Sequence, residues 1–303
     1  MIVYCLLITT LLLAALSLLL LWPRRRGLQS WRIVALALSV GAFIYLYGTW
    51  LFLSVYARYA LAAALLVLLA VRIIRKPVIT KHKRWRGANV LINATTLFFL
   101  ALSVLYYTGT NGAPPGVADI AFPFKNGNYI IFQGGNGLPT NLFHYNLRKA
   151  VYAIDIVKLN GSGNRATTIF SNSLNDYTTY NDTVYSPIDG KIVATETTNP
   201  DNPPGVIKRG PKNTNYVLVK GGEFRVLLAH FRPGTLLVTE GQQVAKGQPV
   251  GLVGNSGFSL EPHLHIQVNA LSPNEDAWYH TPQLQIKFNG RNYLLFETIA
   301  ADR

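Results

Sequence analysis

The sequence predicts an α-helical transmembrane region of four spans followed by an all-β, mainly antiparallel sheet domain. Two observations divide the chain. Residues 1–118 contain no Asp or Glu and 12 of the 28 Lys and Arg, whereas residues 119–303 hold 16 basic against 14 acidic residues. Across the same boundary, long apolar runs give way to short β-type runs punctuated by Gly and Pro. A third observation, the triplet His263-Leu264-His265 on one of these short runs, marks where chemistry is expected.

A spanning helix needs about 20 mostly apolar residues. Residues 2–22 supply the first span, about 33–55 the second, about 59–74 a short third and about 88–108 the fourth. Tyr45, Tyr47, Trp50, Tyr106 and Tyr107 fall near span ends, where interfacial aromatics gather. Arg24, Arg25 and Arg26 follow the first span, and Tyr56-Ala-Arg58 reads as the tight turn between the second and third. Arg72, Arg75, Lys76, Lys81, Lys83, Arg84 and Arg86 lie between the third and fourth, with His82 in the same loop. Basic loops stay on the cytoplasmic side, so the N-terminus and everything after residue 108 are expected outside. The net charge of +14 thus belongs mostly to membrane-flanking loops and gives no reason to expect a nucleic-acid partner. No basic residue precedes the first apolar run, which argues against a cleaved signal peptide. Cys5 is the single cysteine, so an intrachain disulfide and a cysteine-based zinc site are excluded, and no disulfide-linked partner is expected.

Residues 109–117, rich in Gly and Pro, read as a linker, and 118–303 as an extracytoplasmic domain. The expected strands include 129–133, 151–157, 191–195, 215–219, 224–230, 248–253 and 263–268, separated by Gly-containing turns. The stretches 171–183 and 199–211 read as surface loops.

Side chains alternate along a strand. His263, His265 and Gln267 therefore share one face, leaving Leu264, Ile266 and Val268 for a core. Asp155 interrupts the apolar run 151–157, facing away from Ile154 and Ile156. A carboxylate there is costly unless paired or bound to metal. His230 ends the run 226–230, and His144 follows a Gly-rich turn at 134–137. Each of these histidines taken alone is more often structural than catalytic. His280 reads as a surface residue.

Taken together, four stretches are recognisable. They are Thr183 to Val193 (TVYSPIDGKIV), Leu228-Ala-His-Phe231, Val238 to Gly257 (VTEGQQVAKGQPVGLVGNSG) and Pro262-His-Leu-His-Ile266. This run resembles the lysostaphin/LytM-type zinc metallopeptidases, which cut peptides in bacterial cell walls. The resemblance extends over about residues 120–270, with Phe122-Pro-Phe, Gln133-Gly-Gly-Asn and Asn141-Leu-Phe-His144 as its N-terminal half.

The resemblance implies that His144, Asp155 and His265 hold Zn2+, and that His230 and His263 are the non-ligand catalytic histidines. His144 and Asp155 are eleven apart here rather than four, as in the wider form that some relatives carry. The domain is then expected to be a membrane-anchored zinc endopeptidase acting on peptidoglycan peptide stems or cross-bridges by metal-activated water. It would sit on the outer face of the cytoplasmic membrane, with bilayer lipid as the helices' partner. The alternative is a non-catalytic peptidoglycan-binding or regulatory module on the same anchor. A swinging-arm carrier domain would explain the Gly-rich hairpin 240–251 but not three histidines together. Asn255 and Ser256 are candidates to line the cleft.

Overall fold

The computed structural model describes residues 2–23, 31–75, 86–147, 150–271 and 280–301. Arg24, Arg25, Arg26, Lys76, Lys81, His82, Lys83 and Arg84, on which the expected orientation rests, lie outside the described residues. The chain divides into two compact units, Met1–Thr108 and Gly109–Arg303.

Among the described residues, the first unit holds five helices: α1 (Ile2–Leu21), α2 (Trp31–Tyr47), α3 (Trp50–Leu53), α4 (Val55–Ile74) and α5 (Arg86–Thr108). Three of them, over Val3–Leu21, Val55–Ile74 and Arg86–Thr108, are long and apolar enough to cross a membrane. The expected second span, 33–55, is not one helix, which corrects the count of four by this measure. Helix α2 has 17 residues, or about 26 Å of rise against about 30 Å of bilayer core. At its end the Ile44 carbonyl accepts both the Gly48 amide and the Trp50 indole N–H, each at 2.8 Å. Ser54 then restarts the chain, its hydroxyl accepting the Tyr56 N–H at 3.1 Å, a side-chain N-cap. Helix α4 therefore begins at Val55 rather than 59, and its 20 residues are not short. Arg58, expected in a turn, is buried inside α4 with its guanidinium 4.1 Å from the centre of the Tyr45 ring.

Helix C-termini leave carbonyls without partners. Arg72 of α4 supplies one, donating from Nη1 to the Leu20 carbonyl at 3.0 Å. The C-terminal ends of α1 and α4 are therefore side by side. Tyr47, at the end of α2, donates to the Leu102 carbonyl of α5 at 2.8 Å.

The second unit is an antiparallel sheet domain. Its elements are β1 (Val117–Ile120), β2 (Gly127–Gln133), the short helix α6 (Leu142–Asn146), β3 (Ile154–Leu159), β4 (Thr183–Tyr185), β5 (Gly190–Glu196), β6 (Tyr216–Gly221), β7 (Phe224–Ala229), β8 (Gln243–Val244), β9 (Pro249–Leu252), β10 (Leu264–Ala270), β11 (Gln283–Phe288) and β12 (Thr298–Ala301). The main sheet runs β12-β2-β3-β10-β7-β6-β5-β8. Strand β11 adds to β10 antiparallel and to β1 parallel, and β4 pairs β9 apart from the sheet.

Alternation sorts the central strands as expected. Ile154 and Ile156 of β3, Val226 and Leu228 of β7, and Leu264, Ile266 and Val268 of β10 enter one core with Phe231. Two expectations shift. Residues 151–153 form a turn rather than strand, because the Asn141 amide donates to the carbonyls of Val151 and Ala153 at 3.1 and 3.0 Å. His230 lies just past the end of β7.

Ile266 is fully buried where β3, β10 and β7 pack. Ile266→Ala removes most of its side chain and should destabilise the sheet domain by about 2–5 kcal/mol. Faster hydrogen exchange of the β10 amides in the full-length protein reports it.

Candidate metal centre

The sheet register assembles the site. On β10, His265 lies opposite Asp155 of β3 on one side and Ala229 of β7 on the other. His263 precedes β10 by one residue and His230 follows β7 by one, so three histidines and one carboxylate meet at the ends of three adjacent strands. Helix α6 adds His144. The structure thus brings together all five residues singled out in the sequence, and His265 is the least buried of them.

Asp155 Oδ1 is the hub. It lies 3.0 Å from His265 Nδ1, 3.3 Å from His144 Nε2 and 3.5 Å from His263 Nε2. The donor atoms of His144, Asp155 and His265 all lie within 4.8 Å of one another, so these residues can hold a metal ion. The rings of His144 and His265 are 5.0 Å apart, those of His230 and His263 4.7 Å, and those of His230 and His265 5.8 Å.

The tautomers follow from what each Nδ1 faces. The Asn141 amide nitrogen donates to backbone carbonyls, which turns its oxygen toward His144 Nδ1 at 2.8 Å. His144 Nδ1 must then donate, and a neutral ring keeps a bare Nε2 facing Asp155. His263 Nδ1 lies 2.8 Å from the Glu261 carbonyl, and His230 Nδ1 lies 2.8 Å from the Ser256 carbonyl. Carbonyls only accept, so these rings also present unprotonated Nε2 atoms when neutral. Bare nitrogens set against a carboxylate oxygen leave lone pairs facing one another unless a proton or a cation lies between. This donor set, two imidazoles and one carboxylate with Asn141 orienting the first ring, fits a divalent transition metal.

Electrostatics agree. Burial alone would raise the Asp155 carboxyl, but the adjacent His144 and His263 imidazoles and the hydrogen bond from His265 hold it well below its ordinary range. Burial, reinforced by His263 and His265, pushes the His230 imidazole well below its ordinary value, and burial lowers His265 against the pull of Asp155. His230 also adopts φ +72°. That left-handed backbone is uncommon outside glycine and clusters at functional sites.

Asn255 and Ser256 are fully buried, so their side chains do not line an open cleft. Asn255 bonds the Asn202 carbonyl, and Ser256 bonds the Phe231 carbonyl. His280 is exposed. Sequence reasoning missed the supports. Arg165 grips Glu261 through two hydrogen bonds, Nε to Oε1 at 2.7 Å and Nη2 to Oε2 at 2.8 Å, with both side chains buried. Glu261 is the residue whose carbonyl fixes His263. Nothing in the spacing could have announced a pair 96 residues apart.

Arg165→Met strands a buried carboxylate and should destabilise the domain by about 3–5 kcal/mol. Urea titration of the full-length protein in detergent, against a double Arg165→Met, Glu261→Leu variant that recovers part of the loss, checks this.

Residues 172–277 match peptidase family M23. The match takes in His230, His263 and His265 and begins after His144 and Asp155. One curated relative is the peptidoglycan DD-endopeptidase ShyA of Vibrio cholerae, 32% identical over 98 residues, which are 30% of this chain and 20% of ShyA. The chain therefore spans about a fifth of that relative's length. Among solved structures, a zinc-containing peptidase from Vibrio cholerae aligns with a TM-score of 0.32 and 20% identity, covering 50% of this chain and 36% of the other. Lysostaphin from Staphylococcus simulans aligns with a TM-score of 0.29 and 19% identity, covering 55% and 46%. The family match agrees with the resemblance carried by the sequence motifs: residues 172–277 of the sheet unit are similar to peptidase family M23.

Proposed function

We propose that this protein is a membrane-anchored, zinc-dependent endopeptidase that hydrolyses peptide bonds in peptidoglycan. One observation carries the reading: two imidazoles and a carboxylate with donor atoms within 4.8 Å of one another, beside two further buried histidines. The family match and the likeness to ShyA support the substrate class.

His144, Asp155 and His265 would hold the metal, Asp155 neutralising part of its charge. When bound, zinc supplies Lewis acidity toward a carbonyl and brings the pKa of water toward neutrality. His230 and His263 handle protons. Each donates from Nδ1 to a backbone carbonyl, which leaves Nε2 to accept a proton from water. Once protonated, either ring can stabilise the developing oxyanion or return the proton to the leaving amine. Burial keeps the His230 ring neutral near pH 7 and so available as a base.

The helices would anchor this domain outside the cytoplasmic membrane. The Arg72 contact that sets the C-termini of α1 and α4 side by side supports it, because basic loops follow both. In a Cys5→Ser background, Leu237→Cys should react with an impermeant maleimide on intact spheroplasts; labelling only after lysis would reverse the orientation.

Full-length protein in detergent should carry about one zinc per chain and release peptide fragments from purified peptidoglycan, and a chelator should stop the release. His265→Ala should lower zinc affinity and cutting by at least about a hundredfold. Zinc-loaded protein that cuts no peptidoglycan peptide would overturn the hydrolase reading.

A further inference from the structure

A cleft of about 430 Å3 in the sheet unit is lined in part by Asn172, Asn175, Tyr180, Asp201 and Arg232. It contains one carboxylate and one guanidinium, and no ion pair joins them among the described residues. Neutral neighbours hold each charge instead. Asp201 Oδ1 accepts the Asn255 N–H at 2.7 Å and Oδ2 accepts the Tyr180 hydroxyl at 3.0 Å. Arg232 Nη1 donates to the Asn181 side-chain oxygen at 2.7 Å, and its guanidinium lies 5.6 Å from the centre of the Tyr180 ring. Arg232 Nε and Nη2 have no hydrogen-bond partner among the described residues. Burial raises the Asp201 carboxyl against the Asn255 and Tyr180 hydrogen bonds and the Arg232 charge, as fits a carboxylate short of positive partners.

The cleft is built onto the histidine site through one turn. Gly254 donates its N–H to the His230 carbonyl at 2.8 Å, Asn255 holds Asp201, and the Ser256 carbonyl holds the His230 ring. A Cβ at Gly254 would overlap the Arg232 backbone nitrogen and lie 2.6 Å from Asp201 Oδ1. The glycine lets both charged residues pack against the turn that orients His230.

We propose that this cleft is a subsite for an α-amino-carboxylate head on the peptide substrate, its carboxylate on Arg232 and its ammonium on Asp201. A lone anion would meet Asp201 and a lone cation would meet Arg232; a head bearing both charges satisfies both by charge-assisted hydrogen bonds. The inference rests on the peptidase reading in taking the head as part of a substrate. Its placement beside His230 selects where a stem peptide enters.

The test uses full-length protein in detergent, stripped of metal by a chelator, so that binding is read without cutting. The probe is a stem tripeptide, L-Ala-γ-D-Glu-meso-diaminopimelate, with both chain ends and the D-Glu α-carboxylate blocked so that only the side-chain head is free. Three analogues have that head amidated, acetylated on its amine, or replaced by lysine's amine. The native head should bind at least about tenfold more tightly than each analogue, the worth of one charge-assisted hydrogen bond. Arg232→Gln should erase the preference over the amidated probe, and Asp201→Asn the preference over the acetylated one. His265→Ala should keep both preferences. Equal affinities across the four probes for the wild type, or unchanged preferences in the Arg232 and Asp201 variants, would overturn the subsite. Preferences retained without any zinc-dependent cutting would instead overturn the peptidase reading alone.

Discussion

The sheet unit depends on one cross-strand pair, His265 of β10 opposite Asp155 of β3. A register shift of one residue would exchange faces along the whole strand. His265 would then enter the core while Leu264 and Ile266 left it. The apolar alternation that fills the core therefore also fixes the metal-binding pair, and the two cannot be altered separately. Strand β7, on the other flank of β10, aligns Ala229 with His265 and so delivers His230 at the next position.

A sheet alone does not orient imidazoles. Here, backbone carbonyls and one amide do so. Ser256, Glu261 and Asn141 each present an oxygen to an Nδ1 atom. Each support is itself anchored. Asn141 spans to the turn before β3, Glu261 is clamped by Arg165, and the Ser256 hydroxyl bonds the Phe231 carbonyl next to His230. The geometry of the histidine cluster thus stands on turns that look irregular in the sequence but are well bonded in the fold.

The same division between strand and turn governs what was legible in the sequence. The His-Leu-His triplet, the acid within an apolar run and the alternation around both are local patterns, so residue spacing alone places Asp155, His263 and His265 on their faces. His144 and His230 needed the family resemblance, because a histidine at the end of a strand or in a five-residue helix has no periodic signature of its own. The second span was misjudged because hydropathy does not register a helix stop. Helix α2 ends at Tyr47, while the residues on either side of the break stay apolar. Arg165, Asp201 and Arg232 were invisible for another reason. They act across loops in which neither spacing nor composition encodes the partner.

The same long-range closure distinguishes the two charged features of the loops. Arg165 and Glu261 form a buried, two-point ion pair, which suits a strut beneath His263. Asp201 and Arg232 are as firmly anchored, but to neutral partners, and their charges stay apart. A fold that needed only stability would be served by closing that second pair, since separated charges in a partly buried cleft attract each other less than a hydrogen-bonded ion pair does. Holding them open, on the turn that also aims His230, is an arrangement whose electrostatic return comes only when a ligand supplies both missing charges.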